Sequence, residues 1–186
     1  ATVFVSNSMP VRDLDRFVSP STTNLTALGN RGVSGIDGIV SSALGAGSAT
    51  TDDLTLVVGD LALYHDANGL LAVDRCAVDA TIVLINNDGG GIFHKLPVES
   101  FDPPFTGSFK TPHGLAFEPL STLYGLEYVR IDARDDGTDD PAVALADAHT
   151  RAREADGSHL IEVRTDAEAS QRTRERLLSA VEQAVH

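Results

Sequence analysis

Six short apolar segments lie along the chain, and most of them lack the strict apolar–polar alternation of a half-exposed strand. Thr81–Ile85 is the clearest case, because its last four residues are all branched aliphatics. Continuous apolar runs of this length are typical of parallel strands covered on both faces. The predicted strands are Thr2–Val5, Leu25–Leu28, Leu54–Val58, Thr81–Ile85, Tyr128–Ile131 and Leu160–Val163.

Segments of helical periodicity separate these strands, with Pro10 in the first turn of one helix and Gly45 just after another. Gly89–Thr111 is rich in Gly, Pro and Phe and is predicted to be an ordered loop region, and Asp132–Asp140 an acidic loop. The alternation predicts one α/β domain over residues 1–186, a doubly wound, mainly parallel sheet flanked by helices. The predicted helices are Pro10–Phe17, Gly35–Leu44, Leu61–Val73, Ala116–Tyr124, Pro141–Ala155 and Ala167–Val185.

The chain is strongly acidic, because 27 acidic residues against 14 basic ones give a net charge of -13, and this charge limits its possible partners. An acidic chain without a basic patch is a poor partner for nucleic acid or an anionic membrane surface. No apolar run reaches the roughly 18 residues of a membrane span. Lysine occurs only at Lys95 and Lys110, and Asp outnumbers Glu by 19 to 8. This composition predicts a halophilic protein; an acidic protein of ordinary origin is the alternative.

Cys76 is the single cysteine, so the chain can form no internal disulfide and no thiolate metal cluster. A protein of this kind suits a reducing cytosol, and we predict a cytoplasmic location. Because Cys76 lies in an apolar helical stretch, a small buried core residue is favoured over a nucleophile.

Two successive predicted strands end in polar residues that could bind a metal and a diphosphate. Asp60 follows one strand and Asn87 the next, 27 positions later, so both are expected at the same edge of the sheet. Carboxylate and amide oxygens suit Mg²⁺, which completes its octahedron with water and phosphate oxygens. Gly89–Gly91 would let backbone N–H groups approach a diphosphate. Each motif alone could be a turn or a helix cap, but together they predict a metal–diphosphate site.

Five blocks in a fixed order narrow the class of protein further. They are Asn7–Asp13, Asn30–Gly38, Gly59–Leu61 with Tyr64–Leu70, Asn86–Phe93 and Thr111–Gly114. With them the chain closely resembles, from Phe4 to about Val163, the C-terminal domain of the 2-succinyl-5-enolpyruvyl-6-hydroxy-3-cyclohexene-1-carboxylate synthases, the MenD family. The resemblance implies a thiamine-diphosphate-dependent transferase of menaquinone biosynthesis. Such an enzyme decarboxylates 2-oxoglutarate and adds the succinyl carbanion to isochorismate.

The resemblance also implies roles for single residues. Mg²⁺ or Mn²⁺ would be bound by Asp60, the Asn87 side chain and the Gly89 carbonyl. Ile36 would prop the cofactor in its bent form. The residues implied for thiamine diphosphate are Ser8, Ile36, Asp60, Leu61, Asn87, Gly89, Gly90, Gly91 and Ile92.

Substrate carboxylates would be bound by Ser8, Arg12 and Arg31, since a guanidinium holds a carboxylate through two hydrogen bonds. Phe93 would form part of the pocket wall. From the residues alone, the two arginines could equally lie on the surface or at a helix end, and Phe93 could pack in the core.

Some features depart from the family or are absent. Ala62 stands where the family often has Ser, so weaker cofactor binding is expected. His65, His94 and His113 are not predicted to be catalytic. The cofactor-activating glutamate has no match here, and the resemblance assigns it to an N-terminal pyrimidine-binding domain.

We therefore expect the chain to be the C-terminal part of a longer homo-oligomeric enzyme and to be inactive alone. The missing parts would be the pyrimidine-binding and central domains, and an exposed apolar surface is expected near Asp60 and Asn87. Two alternatives stay open. One is a thiamine-diphosphate enzyme of the acetolactate synthase or 2-oxoacid decarboxylase type. The other is a non-catalytic module for cofactor binding or assembly.

Overall fold

In the computed structural model of the chain, which describes residues 1–19, 22, 24–134 and 140–185, six strands form a single sheet. The strand order is β2-β1-β3-β4-β6-β5, and every neighbouring pair is parallel. The predicted doubly wound parallel sheet is thereby confirmed. The strands are β1 (Thr2–Val5), β2 (Thr26–Leu28), β3 (Leu54–Gly59), β4 (Ala80–Asn86), β5 (Glu127–Asp132) and β6 (His159–Arg164).

Helices cover both faces of this sheet. In the part of the chain that the structure describes, none of them combines the length and apolarity needed to cross a membrane. Shorter helical turns lie at Ala67–Leu70, Gly91–Lys95, Pro97–Ser100 and Thr106–Lys110. The α-helices are α1 (Met9–Phe17), α2 (Ile39–Gly47), α3 (Asp60–His65), α4 (Leu71–Cys76), α5 (Glu118–Tyr124), α6 (Pro141–Glu154) and α7 (Ala167–Val185).

The core has two layers because residues on both sides of the central strands are buried. Leu56 and Ile82 belong to the larger layer, which packs under α2 and α3. Val83 and Ile161 belong to the smaller layer, which packs under α6. A fully buried Leu or Ile contributes about 2 kcal/mol of transfer free energy. This burial on both faces explains why the central strands read as unbroken apolar runs.

One predicted helix is broken in the structure. Leu61–Val73 was expected to be continuous, but α3 ends at His65 and a 3₁₀ turn precedes α4. The cause lies at Asp66, whose carboxylate accepts hydrogen bonds from the backbone N–H and the hydroxyl of Ser41 at 2.7 and 3.0 Å. This contact fixes the start of α2 against the end of α3.

The prediction that Cys76 is buried is wrong, because its side chain is exposed. Helix α4 ends at Cys76, and Ala77 takes a left-handed conformation (φ 49°) that turns the chain. The residues that reach the core in this region are Leu70 and Val78.

The two predicted loop regions differ in how far the structure describes them. Gly89–Thr111 is ordered as predicted, but it contains three helical turns. Of the acidic loop predicted over Asp132–Asp140, residues 135–139 lie outside the described residues.

Candidate functional site

The candidate site lies where the direction of winding reverses. From β1 the chain moves to β2 on one side of the sheet and later to β3 on the other, so the carboxyl ends of β1 and β3 leave a crevice. A cavity of about 780 Å³ opens there. Every residue predicted above to contact metal, cofactor or substrate lines this cavity, namely Ser8, Arg12, Arg31, Ile36, Asp60, Leu61, Asn87, Gly89, Gly90, Gly91, Ile92 and Phe93.

Asp60 holds the two central strand ends together. It is the first residue of α3 and only 2% exposed. Its Oδ1 accepts the Leu61 N–H at 2.6 Å, and its Oδ2 accepts the N–H groups of Asn87 and Gly89, both at 3.0 Å. Asp60 and the Asn87 segment therefore lie together at one edge of the sheet, where the sequence placed them.

The Asp60 carboxylate, the Asn87 side-chain amide and the Gly89 carbonyl converge at this point. One terminal atom of the amide lies 2.7 Å from the Gly89 carbonyl oxygen and 3.2 Å from Asp60 Oδ2. Without a metal, hydrogen bonding favours the amide nitrogen in this position, because it donates to both oxygens. With the amide turned over, Oδ1 takes the same position, at distances close to the roughly 3 Å between neighbouring ligands of an octahedral Mg²⁺ ion, whose Mg–O distance is about 2.1 Å. In that orientation the donor set fits Mg²⁺.

Acidic side chains alone do not make this donor set. Among the described residues, no group of three or more His, Cys, Asp and Glu side chains could hold a metal. An aspartate, an amide oxygen and a backbone carbonyl together supply the hard ligands that Mg²⁺ prefers, and they leave positions free for phosphate oxygens.

Two of the glycines after Asn87 are required by close contacts. Gly89 has a φ of +130°, and a Cβ there would lie 2.1 Å from the Lys110 carbonyl oxygen. A Cβ on Gly91 would lie 2.3 Å from Asn87 Nδ2. A side chain at either position would thus displace the candidate metal ligands or the segment that supports them.

The N–H groups of these glycines differ from the prediction that they face a diphosphate. Gly90 N–H donates to the Lys110 carbonyl at 2.7 Å, and Gly91 N–H donates to the Gly89 carbonyl at 2.9 Å. Backbone acceptors inside the turn thus satisfy both groups. Their contribution to the cavity is the absence of a side chain, which allows a ligand to approach closely.

His113 contacts the candidate metal ligand, which the sequence argument missed. Its Nε2 lies 3.3 Å from Asp60 Oδ2, and its side chain is 11% exposed. Its Nδ1 accepts the N–H of Leu115 at 3.0 Å, so in the neutral ring the proton is on Nε2, which is buried and makes no hydrogen bond within the described residues. The Thr111–Gly114 block gave no signal for this contact, because the contact depends on how the chain folds across the edge of the sheet.

Asp88 anchors the His113 segment to the site. Its Oδ1 accepts the N–H groups of His113 and Gly114 at 3.0 and 2.8 Å. The Gly114 hydrogen bond is the largest cause that lowers the pKa of the Asp88 carboxyl below its ordinary value. Asp88 therefore stays ionised at neutral pH and continues to accept both hydrogen bonds.

Asn7 is a second residue that the sequence argument missed, and it positions the loop that carries Arg31. It is buried, and its amide nitrogen donates to the Asn30 and Gly35 carbonyls at 3.1 and 2.7 Å. Its Oδ1 accepts a hydrogen bond from Arg31 Nη1 at 2.5 Å. The two polar residues that follow β1, Ser6 and Asn7, were the available signal.

Ser8 and Arg12 form the opposite wall of the cavity. Ser8 has a φ of 69° and a ψ of -130°, a conformation that L-residues rarely adopt and that is often found at functional sites. Its carbonyl accepts a hydrogen bond from Arg12 Nη1 at 2.6 Å. This contact turns the Arg12 guanidinium back towards the cavity entrance.

Apolar side chains surround the mouth of the cavity. Phe17, Val18 and Ile36 are 52%, 57% and 37% exposed, and all three belong to the cavity wall. Phe93 lies deeper and packs edge-on against Phe109 at 5.8 Å between ring centres. The expected exposed apolar surface near Asp60 and Asn87 is therefore present.

The two other histidines considered from the sequence lie outside the cavity wall. His65 is half-exposed and pairs with Asp37 at 3.3 Å. His94 is buried, with its Nδ1 2.7 Å from Glu99 and its ring edge-on to Phe105. Both histidines make local contacts outside the cavity.

Comparisons with known proteins agree with this geometry. Residues 10–163 match the family described as thiamine pyrophosphate enzyme, C-terminal TPP binding domain. The chain is 77% identical, over its whole length, to the 2-succinyl-5-enolpyruvyl-6-hydroxy-3-cyclohexene-1-carboxylate synthase of Halorubrum lacusprofundi, of which it covers 31%. It is 62% identical to the synthase of that name from Halobacterium salinarum over 97% of the chain and 30% of the relative.

A synthase of the same name from Roseiflexus castenholzii is 50% identical over 97% of the chain, which covers 30% of that relative. Among solved structures, benzoylformate decarboxylase from Polynucleobacter necessarius superposes with a TM-score of 0.66 at 16% identity. That match covers 90% of this chain and 30% of the decarboxylase. At such low identity the likeness concerns the fold alone.

Proposed function

Because this chain belongs to the thiamine pyrophosphate enzyme family, as its C-terminal TPP-binding domain, we propose that it forms the metal and diphosphate side of the active site in a 2-succinyl-5-enolpyruvyl-6-hydroxy-3-cyclohexene-1-carboxylate synthase. The full enzyme would decarboxylate 2-oxoglutarate and join the resulting four-carbon unit to isochorismate. The observation that carries this proposal is the convergence of the Asp60 carboxylate, the Asn87 amide and the Gly89 carbonyl in the same cavity as Arg12 and Arg31.

The chain spans about a third of the length of the curated relatives that it matches. The remaining length has room for the pyrimidine-binding and central domains and for the glutamate that activates the cofactor. We propose that residues 1–186 are one domain of this larger enzyme, and that the enzyme is a homo-oligomer. The exposed apolar side chains of Phe17, Val18 and Ile36 support this proposal, because an exposed apolar patch beside a pocket is typical of a protein–protein interface.

Thiamine diphosphate, when bound, supplies the electron sink that the decarboxylation of a 2-oxo acid requires. Asp60, Asn87 and the Gly89 carbonyl would hold Mg²⁺, or Mn²⁺, against the diphosphate. Leu61, Gly90, Gly91 and Ile92, which line the same cavity, would lie along the diphosphate. Ser8 and Ile36 would contact the remainder of the cofactor. The chain therefore contributes binding and orientation.

Arg12 and Arg31 would bind the substrate carboxylates, with Ser8 and Phe93 beside them. A guanidinium binds carboxylate through two hydrogen bonds in a fixed plane, which sets the orientation of the substrate. Two arginines suit 2-oxoglutarate and isochorismate better than pyruvate, because pyruvate carries a single carboxylate. The Arg12 and Arg31 pair thus favours the synthase over an acetolactate synthase.

The test uses the full-length enzyme with thiamine diphosphate and Mg²⁺ at high salt. We expect it to consume isochorismate only when 2-oxoglutarate is present. Arg12→Gln and Arg31→Gln should each raise the KM for 2-oxoglutarate about tenfold or more, whereas Arg75→Gln on exposed α4 should leave it unchanged.

Other results would assign a different function. Conversion of pyruvate to acetolactate without use of 2-oxoglutarate would contradict the proposal and favour the alternative synthase. Cofactor binding without turnover of any 2-oxo acid would favour a non-catalytic module.

A further inference from the structure

An ion pair joins the last helix to the cavity wall. Arg174 of α7 donates through Nε to Asp13 Oδ1 at 3.0 Å and through Nη2 to Asp13 Oδ2 at 2.5 Å. The two side chains are only 19% and 30% exposed, and both residues line the cavity. Such a two-pronged pair at low exposure is the strong form of an arginine–carboxylate contact.

Asp13 is next to Arg12 on α1, so its charge bears directly on the substrate arginines. Within the described ranges, neither Arg12 nor Arg31 has a carboxylate at ion-pair distance. An Asp13 carboxylate without its own partner would attract Arg12 and would repel an anionic substrate in the same cavity. Arg174 supplies that partner and so keeps the two substrate arginines available.

Lys95, an exposed residue at the end of the Gly91–Lys95 turn, lies near these cationic side chains. Burial, and then the charges of Arg16, Arg12 and Arg174, lower the pKa of Lys95, whereas the charge of Asp13 acts in the opposite direction. Helix α7 itself packs on this turn, which brings Arg174 to the rim.

Arg174 is outside the family match, which ends at residue 163, so the comparisons give it no role. We infer that Arg174 is a positioning residue for dicarboxylate binding: by neutralising Asp13, it leaves Arg12 and Arg31 free to bind the substrate. This inference rests on the proposed function, because that function brings a dicarboxylate into the cavity. The competing explanation is that the pair only attaches α7 to α1.

Removing Asp13 separates the two explanations. In the full-length enzyme, we compare Arg174→Gln, Asp13→Asn and the double variant Asp13→Asn/Arg174→Gln with the wild type. Succinate, an unreactive dicarboxylate, is titrated calorimetrically at fixed ionic strength, and the KM and kcat for 2-oxoglutarate are measured in parallel. The matched control is the exposed Arg153–Asp53 pair at the opposite end of β3, changed to Arg153→Gln and Asp53→Asn.

If Arg174 acts through charge, Arg174→Gln should weaken succinate binding and raise the KM for 2-oxoglutarate, each about tenfold, with kcat nearly unchanged. In the double variant, the affinity for succinate and the KM for 2-oxoglutarate should return to within about threefold of the wild-type values, because the uncompensated Asp13 carboxylate is gone. The control variants should bind succinate as the wild type does.

A double variant as impaired as Arg174→Gln would show that the pair is only an attachment, and this would overturn the inference. Unchanged succinate binding in Arg174→Gln, or no succinate binding by the wild type, would also overturn it. If the wild type binds succinate and the double variant recovers binding, but 2-oxoglutarate is not turned over, the proposed function fails while the charge role of Arg174 stands.

Discussion

The buried imidazole of His113 lies beside the Asp60 carboxylate. Nε2 of His113 is 3.3 Å from Asp60 Oδ2, the same oxygen that accepts the Asn87 and Gly89 N–H groups, but within the described residues Nε2 makes no hydrogen bond. Groups that surround a metal ligand influence its orientation and the strength of metal binding. We therefore expect His113 to act on the metal through Asp60.

We predict that His113→Ala weakens Mg²⁺ affinity about tenfold, since removal of such a supporting contact typically costs ten- to a hundredfold. The measurement is the Mg²⁺ dependence of thiamine diphosphate binding. His65→Ala serves as the matched control, because His65 is half-exposed and pairs with Asp37 outside the cavity. An unchanged Mg²⁺ affinity in His113→Ala would contradict this role.

Among the strands, a buried carboxylate on β6 supports the segment that carries the metal ligands. Glu162 is 3% exposed and accepts hydrogen bonds from Asn86 Nδ2 at 2.6 Å and from the Tyr128 hydroxyl. Asn86 in turn accepts the N–H of Asp88 through its Oδ1 at 3.1 Å. Burial, and then the hydrogen bond to Glu162, raise the pKa of Tyr128, so Tyr128 remains a donor.

Glu162→Ala should lower the free energy of unfolding by about 3 kcal/mol, because two buried donors lose their acceptor. Tyr128→Phe removes one partner and should cost about 1 kcal/mol. Denaturant unfolding at constant high salt measures both values. A loss below about 1 kcal/mol for Glu162→Ala would show that this network does not support the strand ends.

A second prediction at the level of elements concerns the contact between α6 and β3. His149 lies on α6 with its Nε2 3.0 Å from the Thr55 hydroxyl. Burial, and then the charge of Arg153, lower the pKa of His149 below its ordinary value of 6.5. As the pH falls through about 6.5, the unfolded chain gains a proton that the folded chain resists, so stability decreases.

The stability of the wild type should therefore fall more steeply than that of His149→Gln between about pH 7.5 and about pH 5.5. Urea unfolding at the two pH values measures the difference. Equal slopes for wild type and His149→Gln would contradict the assignment to His149.

The sequence predicted elements well where a single physical signal dominated. β3, β4 and β6 were found because burial on both faces leaves unbroken apolar runs, and α7 was found with its exact bounds (Ala167–Val185). The break between α3 and α4 was missed, since it depends on the distant contact between Asp66 and Ser41. Cys76 was misjudged because local apolarity does not show where a helix ends.

Some residues of the candidate site could be predicted from the sequence, and others could not. Asp60 and Asn87 follow successive strands, so parallel topology alone brings them to one edge. For Asn7, the polar residues after β1 were an available signal, although its contact with Arg31 is distant in the chain. His113 and Arg174 act through contacts between segments far apart in the chain, and sequence spacing carries no signal for such contacts.

For the molecule as a whole, the net charge of -13 makes stability depend on salt. Carboxylates on the surface repel one another at low ionic strength, and salt screens this repulsion. We predict that the midpoint of thermal unfolding rises when KCl increases from about 0.2 M to about 3 M. A midpoint that stays constant or falls across this range would contradict a halophilic surface.

The most direct test of the site is calorimetric titration of thiamine diphosphate, with and without Mg²⁺, into this chain at high KCl. The wild type should bind only with Mg²⁺, Asp60→Ala should lose that binding, and Asp53→Ala, at the other end of β3, should retain it. Binding that survives in Asp60→Ala would contradict the site. If the wild type does not bind, the titration is repeated with the full-length enzyme, and failure there would contradict the family's cofactor chemistry for this protein.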